Sequence, residues 1–272
     1  MAEESQYLTF MGIRVHFTVA YPETALKNRV LLLSSPLITT FHWRKLIPEL
    51  QQLGCLTVMV DMPGFGRSDC TSEVPHDVET RANIIWGILD DVDRETDAPL
   101  SLWHLAGHGI ACPTILRMAN LYPDSTKSQV HISPAFSLPQ PEDREEMYRW
   151  YDAHIRSEDR FRDLIEEHSG YPMDDYVLDR MRRPLLRPGA RENLLRMVRH
   201  SCKVPEEGMG FCPTMVLWGG RDQMMDDSAR AAMRKLLPEA EMHMLKSAGH
   251  FPMETHSRAI RDYLRGWIRY ND

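Results

Sequence analysis

The chain has 272 residues, 43% hydrophobic and 26% charged, with a formal net charge of -7. That length and apolar content suffice for one sizeable core, and the acidic balance excludes a general nucleic-acid binder, which needs a basic face to displace counterions from phosphates. Five cysteines, at positions 55, 70, 112, 202 and 212, are odd in number and form no CxxC pair, which argues against a disulfide framework or a zinc site and fits a reducing compartment.

The first residues, MAEESQY, are acidic and polar rather than basic and then apolar, and no apolar run approaches the roughly 18 residues of a membrane span. A soluble, cytoplasmic chain without a membrane partner is expected. Tyr7 to Phe10 and Arg14 to Val19 are rich in β-formers and separated by Met11-Gly12, which predicts an opening hairpin. Arg29 to Pro36, RVLLLSSP, is a continuous apolar run of the kind buried on both faces of a parallel sheet. Trp43, Leu46, Ile47, Leu50 and Leu53 then repeat at helical spacing, and CLTVMVDMPGFGRSD supplies another buried strand with a Gly/Pro loop.

The alternation continues with a helix near Glu79 to Asp93, a strand at Leu100 to Leu105, a helix near Ala111 to Tyr122 and a strand near Gln129 to Ser133. After a break it resumes with the strand TMVLWGG, a helix near Asp226 to Leu237, a strand at Glu241 to Leu245 and a helix near Met253 to Tyr270. Strands separated by helical patterns imply an α/β fold with a mostly parallel sheet. The break, Ser137 to Glu207, lacks strand patterns and is rich in charge, Met and aromatics. It reads as a helical cap inserted into a core of residues 1–136 and 208–272, roofing the crevice at the carboxyl ends of the strands. Within it RMRRPLLRPGAR carries Arg180, Arg182, Arg183, Arg187 and Arg191, which could attract an anionic substrate but, in a segment also full of Asp and Glu, read as a solvated face.

Three stretches, DMPGFGRSD, LWGGRDQMM and SAGHFPMET, in this order, resemble the α/β-hydrolase superfamily, in particular its capped members such as epoxide hydrolases, haloalkane dehalogenases and esterases. Asp61 to Asp69, DMPGFGRSD, is similar to a structural loop of that family. LWGGRDQMM puts Asp222 in the place of the triad acid, and SAGHFPMET puts His250 in the place of the triad histidine. The resemblance implies a Gly-x-Ser-x-Gly nucleophile elbow, and Gly107-His108-Gly109-Ile110-Ala111 stands there with glycine in the serine's position. A residue without a side chain cannot form a covalent intermediate. The oxyanion-hole position after the first long strand falls on Pro36, which has no N–H, whereas Ile110 still offers one.

His250 with Asp222 is therefore the expected catalytic pair, a general acid or base near neutral pH. Ser34, Ser35, Gly109 and Ile110 are the expected substrate or oxyanion contacts, the two serine hydroxyls replacing lost N–H donors. His42, His108 and Trp150 are possible pocket residues, and Cys112 is expected to be core. No sequence motif for a metal, nucleotide or other cofactor is present. Two functions follow: non-covalent acid/base chemistry on a small organic substrate, whether decarboxylation, cyclisation, another lyase reaction or attack by an activated water; or a pseudo-hydrolase that binds a small molecule for regulation or serves as a scaffold.

Overall fold

In a computed structural model that describes residues 3–96, 102–136, 143–201, 212–224 and 227–272, eight strands form one sheet in the order β1-β2-β4-β3-β5-β6-β7-β8. They are β1 Glu3–Phe10, β2 Ile13–Ala20, β3 Asn28–Leu33, β4 Cys55–Val60, β5 Trp103–His108, β6 Thr126–Ile132, β7 Thr214–Gly219 and β8 Glu241–Leu245. The pairs β1–β2 and β2–β4 are antiparallel, and every other neighbouring pair is parallel. The helices are α1 Ile47–Gln52, α2 Val78–Glu95, α3 Cys112–Leu121, α4 Arg144–His154, α5 Glu158–Ser169, α6 Asp175–Leu185, α7 Ala190–Ser201, α8 Asp227–Leu236, α9 Pro252–Thr255 and α10 Ser257–Tyr270. Among the described residues, no helix is long and apolar enough to cross a membrane.

The α/β alternation is as the apolar runs require. Strands β3, β4 and β5 are buried at every position, as expected when helices cover both faces of a parallel sheet. The opening hairpin turns at Met11 and Gly12, both at positive φ (52° and 77°), which suits the right-handed twist of the two strands it joins. Some helix limits differ from the sequence pattern. The apolar spacing after Trp43 is shared by a 3-10 turn, Thr40–Trp43, and the short α1. The closing helix is broken at His256, whose φ and ψ of -129° and 35° separate α9 from α10. The predicted bounds at Leu100, Ser137, Glu207 and Asp226 fall outside the described residues.

The Asp61 to Asp69 loop owes its composition to packing. Asp61 accepts hydrogen bonds from the N–H groups of Thr40 and Arg67 and pairs with His16. Gly66, at φ 56°, passes so close that a Cβ would lie 2.3 Å from the Asp61 carboxyl carbon. The helical segment α4–α7 is fastened onto this loop. Arg187 donates to the carbonyls of Gly66 and Ser68, and Asn193 reaches His76 and the Thr71 carbonyl. The arginine run is thus only partly a solvated face: Arg187 bridges to the loop, Arg182 holds the Ile155 carbonyl, and Arg183 and Arg191 pair with Asp179 and Asp152. A guanidinium with five donors can hold two carbonyls at once, so charge density alone is a poor guide to exposure.

Several histidines are built into this interior as neutral rings. Burial pushes the imidazoles of His42, His76 and His104 down to about 4, and those of His108 and His131 to about 3. In the unfolded chain these groups take up protons near pH 6.5, so below that value the unfolded state binds more protons than the folded one. Stability should therefore be full above pH 6.5 and fall steeply towards pH 4, each displaced unit costing about 1.4 kcal/mol per ring. Urea unfolding followed across that range checks this; an unchanged midpoint would mean that the rings are solvated in the folded protein.

Candidate active site

The sheet register assembles the site. Leu33 of β3 pairs with Gly107 of β5, and His108 with Ile132 of β6. The residues that follow each strand therefore meet at one end of the sheet: Ser34 and Ser35 after β3, Gly109 and Ile110 after β5, and Ser133 after β6. Between β5 and α3 the chain turns sharply through Gly109, at φ 56°. The Gly109 carbonyl accepts the Ala135 N–H at 3.1 Å, tying the turn to the loop after β6. Pro113 near the start of α3 suits a first turn whose N–H groups have no intrahelical partner.

Asp222 and His250 arrive from the loops after β7 and β8 and meet. His250 Nδ1 donates to Asp222 Oδ2 at 2.9 Å, and the Met224 N–H donates to Asp222 Oδ1 at the same distance. Burial pushes the Asp222 carboxyl up, but the charge and hydrogen bond of His250 and the Met224 N–H outweigh it and hold the group below its usual value. The carboxylate is thus ionised and acts as acceptor, which puts the proton of a neutral His250 on Nδ1 and leaves the lone pair on Nε2. That nitrogen faces Gly109: a Cβ built on the glycine would lie 3.4 Å from His250 Nε2 and 3.6 Å from both Cβ and Oγ of Ser35. The ring is also held through its backbone, since the His250 N–H donates to the His168 carbonyl at the end of α5, at 2.8 Å.

His108 lies behind these groups with no exposure to solvent. Its Nε2 donates to the His250 carbonyl at 2.8 Å and its Nδ1 is 2.9 Å from Ser35 Oγ. A cavity of about 150 Å³ opens in front, lined by Ser35, Pro36, Ile110 and His250 from the sheet side and by Met147 and Trp150 of α4 and Leu194 and Val198 of α7. Its lining is largely apolar, and its size is close to that of an apolar cavity that accepts benzene.

Of the residues singled out from sequence, the structure brings Ser35, Gly109, Ile110, Trp150, Asp222 and His250 together, with His108 directly behind. Ser34 is not brought to the cavity: it is fully buried, and its oxygen takes the Trp43 indole N–H at 3.0 Å. His42 is likewise buried away from the cavity lining, its Nδ1 accepting the Thr39 N–H at 2.8 Å. Cys112 is core, its thiol donating to the Gly107 carbonyl and pushed far up by burial. The sequence reading missed Met147, Leu194, Val198 and the Met224 N–H. Met147 and Trp150 are three apart on α4, and Leu194 and Val198 four apart on α7, so each pair shares a helix face; which face meets the core was not written in that spacing.

Similarity to known proteins extends over most of the chain. A 2-hydroxy-6-oxononadienedioate/2-hydroxy-6-oxononatrienedioate hydrolase of Cupriavidus pinatubonensis is 21% identical over 231 residues, 80% of this chain and 78% of that protein. Among solved structures, a thermophilic esterase from Thermogutta terrifontis superposes with a TM-score of 0.75 at 18% identity, covering 98% of this chain and 99% of the esterase. An epoxide hydrolase from Vigna radiata superposes at 0.76 with 13% identity, covering 98% of both chains. The family model for the alpha/beta hydrolase family matches residues 33–263, from the end of β3 into α10. With a match of that extent on a sheet of this order, the chain belongs to the alpha/beta hydrolase family.

Proposed function

We propose that the protein is a hydrolase that works without a covalent intermediate. His250, oriented by Asp222, takes a proton from a water molecule, and the resulting hydroxide attacks a small, largely apolar organic substrate held beneath the α4–α7 cap. The observation that carries this reading is the free His250 Nε2 beside Gly109. The base is aimed at the place where an elbow nucleophile would start, and the residue there has no side chain. The hydrolase relatives favour hydrolysis over the lyase, decarboxylation and cyclisation alternatives. General base catalysis of this kind contributes roughly 10²- to 10⁴-fold, and the Ile110 N–H is the donor available to the developing oxyanion.

A second reading, a pseudo-hydrolase that only binds its ligand, is favoured by one observation. Pro36 lines the cavity where the family's other oxyanion donor is expected, and it has no N–H. One such donor is worth roughly 3 kcal/mol in acyl-transfer chemistry.

Wild-type protein and His250→Ala, incubated separately with a small-molecule cell extract in ¹⁸O-water and followed by mass spectrometry, distinguish these readings. Hydrolysis predicts a compound consumed by the wild type alone, with a product carrying one ¹⁸O atom. A product without the label would replace hydrolysis by a lyase-type reaction of the same pair, and conversion by neither protein would favour binding.

The elbow geometry has its own test. Gly109→Ser costs about 1 to 3 kcal/mol of backbone strain at positive φ, yet it puts a hydroxyl beside His250 Nε2. A fluorophosphonate probe should label Gly109→Ser at residue 109, with fluoride leaving and the serine proton passing to His250, and the added change His250→Ala should abolish the label. Labelling of the wild type at Ser35 would instead show covalent catalysis from a displaced serine.

A further inference from the structure

The hydrogen bonds around His108 fix the direction in which Ser35 points its proton. A backbone carbonyl can only accept, so the contact between His108 Nε2 and the His250 carbonyl places the imidazole proton on Nε2. The ring is wholly buried, and burial drives it down to about 3, so at neutral pH it carries one proton only and its Nδ1 is a bare lone pair. The 2.9 Å contact at Nδ1 is therefore donated by the Ser35 hydroxyl. Ser35 has one proton, and it is spent.

What Ser35 then shows to the cavity is an acceptor. His250 Nε2 is also an acceptor, because its ring proton is committed to Asp222 through Nδ1. The position that a Cβ of Gly109 would take lies 3.4 Å from Nε2 and 3.6 Å from Ser35 Oγ, so both acceptors face the space in front of the glycine. Two acceptors converging on one small volume select an occupant with two donors. Their surroundings are otherwise largely apolar, so an occupant lacking donors would leave both buried lone pairs unpaired.

Resting on the hydrolase reading above, we propose that the space beside Gly109 is a two-acceptor cradle for the attacking water, and that Ser35 is a catalytic residue that holds one of its protons while His250 removes the other. The water donates one O–H to Ser35 Oγ and one to His250 Nε2. As its oxygen bonds to the electrophilic carbon of the substrate, the second proton passes to Nε2, and the electron pair of the attacked bond moves onto the substrate oxygen. Collapse of that intermediate expels the leaving group, which takes the proton back from His250, while the first proton stays on the new hydroxyl of the product. His108 is the positioning residue of this arrangement, since it fixes the sense of the Ser35 hydroxyl without touching the water. This reverses the role suggested by sequence, in which Ser35 donates to developing negative charge.

The tautomers decide it before any substrate is known. In a long-range ¹H–¹⁵N correlation spectrum of the uniformly ¹⁵N-labelled wild-type protein at pH 7, with His108→Gln and His250→Gln giving the assignments, His108 should be protonated at Nε2 and His250 at Nδ1. A crystal structure near 1.2 Å should show one water within hydrogen-bond distance of both Ser35 Oγ and His250 Nε2, and Ser35→Ala should lose it. In the ¹⁸O assay that variant should lower kcat about tenfold with little change in KM. A His108 ring protonated at Nδ1 would overturn the proposal, because Ser35 would then be free to donate; so would an unoccupied cradle in the wild type. Both rings as expected and the water in place, but no ¹⁸O-labelled product, would refute the hydrolase reading and with it the water's role as nucleophile. Labelled product formed at an undiminished rate by Ser35→Ala would refute the role of Ser35 alone.

Discussion

How sharply the chain reverses between β5 and α3 governs everything at this end of the sheet. The strand and the helix are so close that a Cβ on Gly107 would sit 2.6 Å from a side-chain carbon of Ile115. The reversal needs a left-handed residue at 109, which glycine adopts without the penalty that other residues incur. Because the turn is this tight, residue 109 stands at the rim between the loops after β3 and β6. The loops carrying Asp222 and His250 need only bring their side chains to that point. Loosening the turn would part the Gly109 carbonyl from the Ala135 N–H and move Ile110 in the cavity wall, while the Asp222–His250 pair would keep its own contact but lose the surface it faces.

The same residues divide into those that make the site dry and those that act in it. His42 and Ser34 are fully buried, each with a local hydrogen bond, and fill space without charge. His108 is equally buried and neutral but is hydrogen-bonded at both nitrogens, to the His250 carbonyl and to Ser35. Asp222 is the exception, a buried carboxylate kept ionised by the ring and the N–H that it faces. In surroundings of low polarity such a pair interacts more strongly than it would in water, and its geometry resists disturbance by solvent. Concentrating charge at one pair beside neutral imidazoles keeps the rest of the cavity suited to an apolar guest.

Much of the fold was legible because its signals are local. Runs such as VLLL and MVLW have no polar interruption and are bounded by turn residues, as in strands covered on both faces, and the structure places them there. Asp222 and His250 were legible through their loops, each with a distinctive glycine beside it. Gly220 precedes Arg221 and Asp222, and Gly249 precedes His250. At both glycines a Cβ would lie within 2.6 Å of a backbone carbonyl oxygen, so the spacing records real crowding. The roles of Ser34 and Ser35 were not legible. Adjacent in sequence, they point to different partners, one to Trp43 and the other to His108, and only the paired register of β3 with β5 decides which reaches the cavity. The break in the closing helix at His256 was hidden for a related reason: the apolar spacing runs through it undisturbed.

The hydrogen bond from the His250 N–H to the His168 carbonyl joins the loop that bears the base to the last turn of α5. Gly249 lies against the same turn, with no room for a side chain beside the His168 and Ser169 carbonyls. Helix α5 and the His250 ring are here one mechanical piece. A displacement of α5 would cost the imidazole a tether worth about 1 kcal/mol and the backing that aims it. A substitution that unsettles the last turn of α5 would therefore reach His250 without touching the cavity lining.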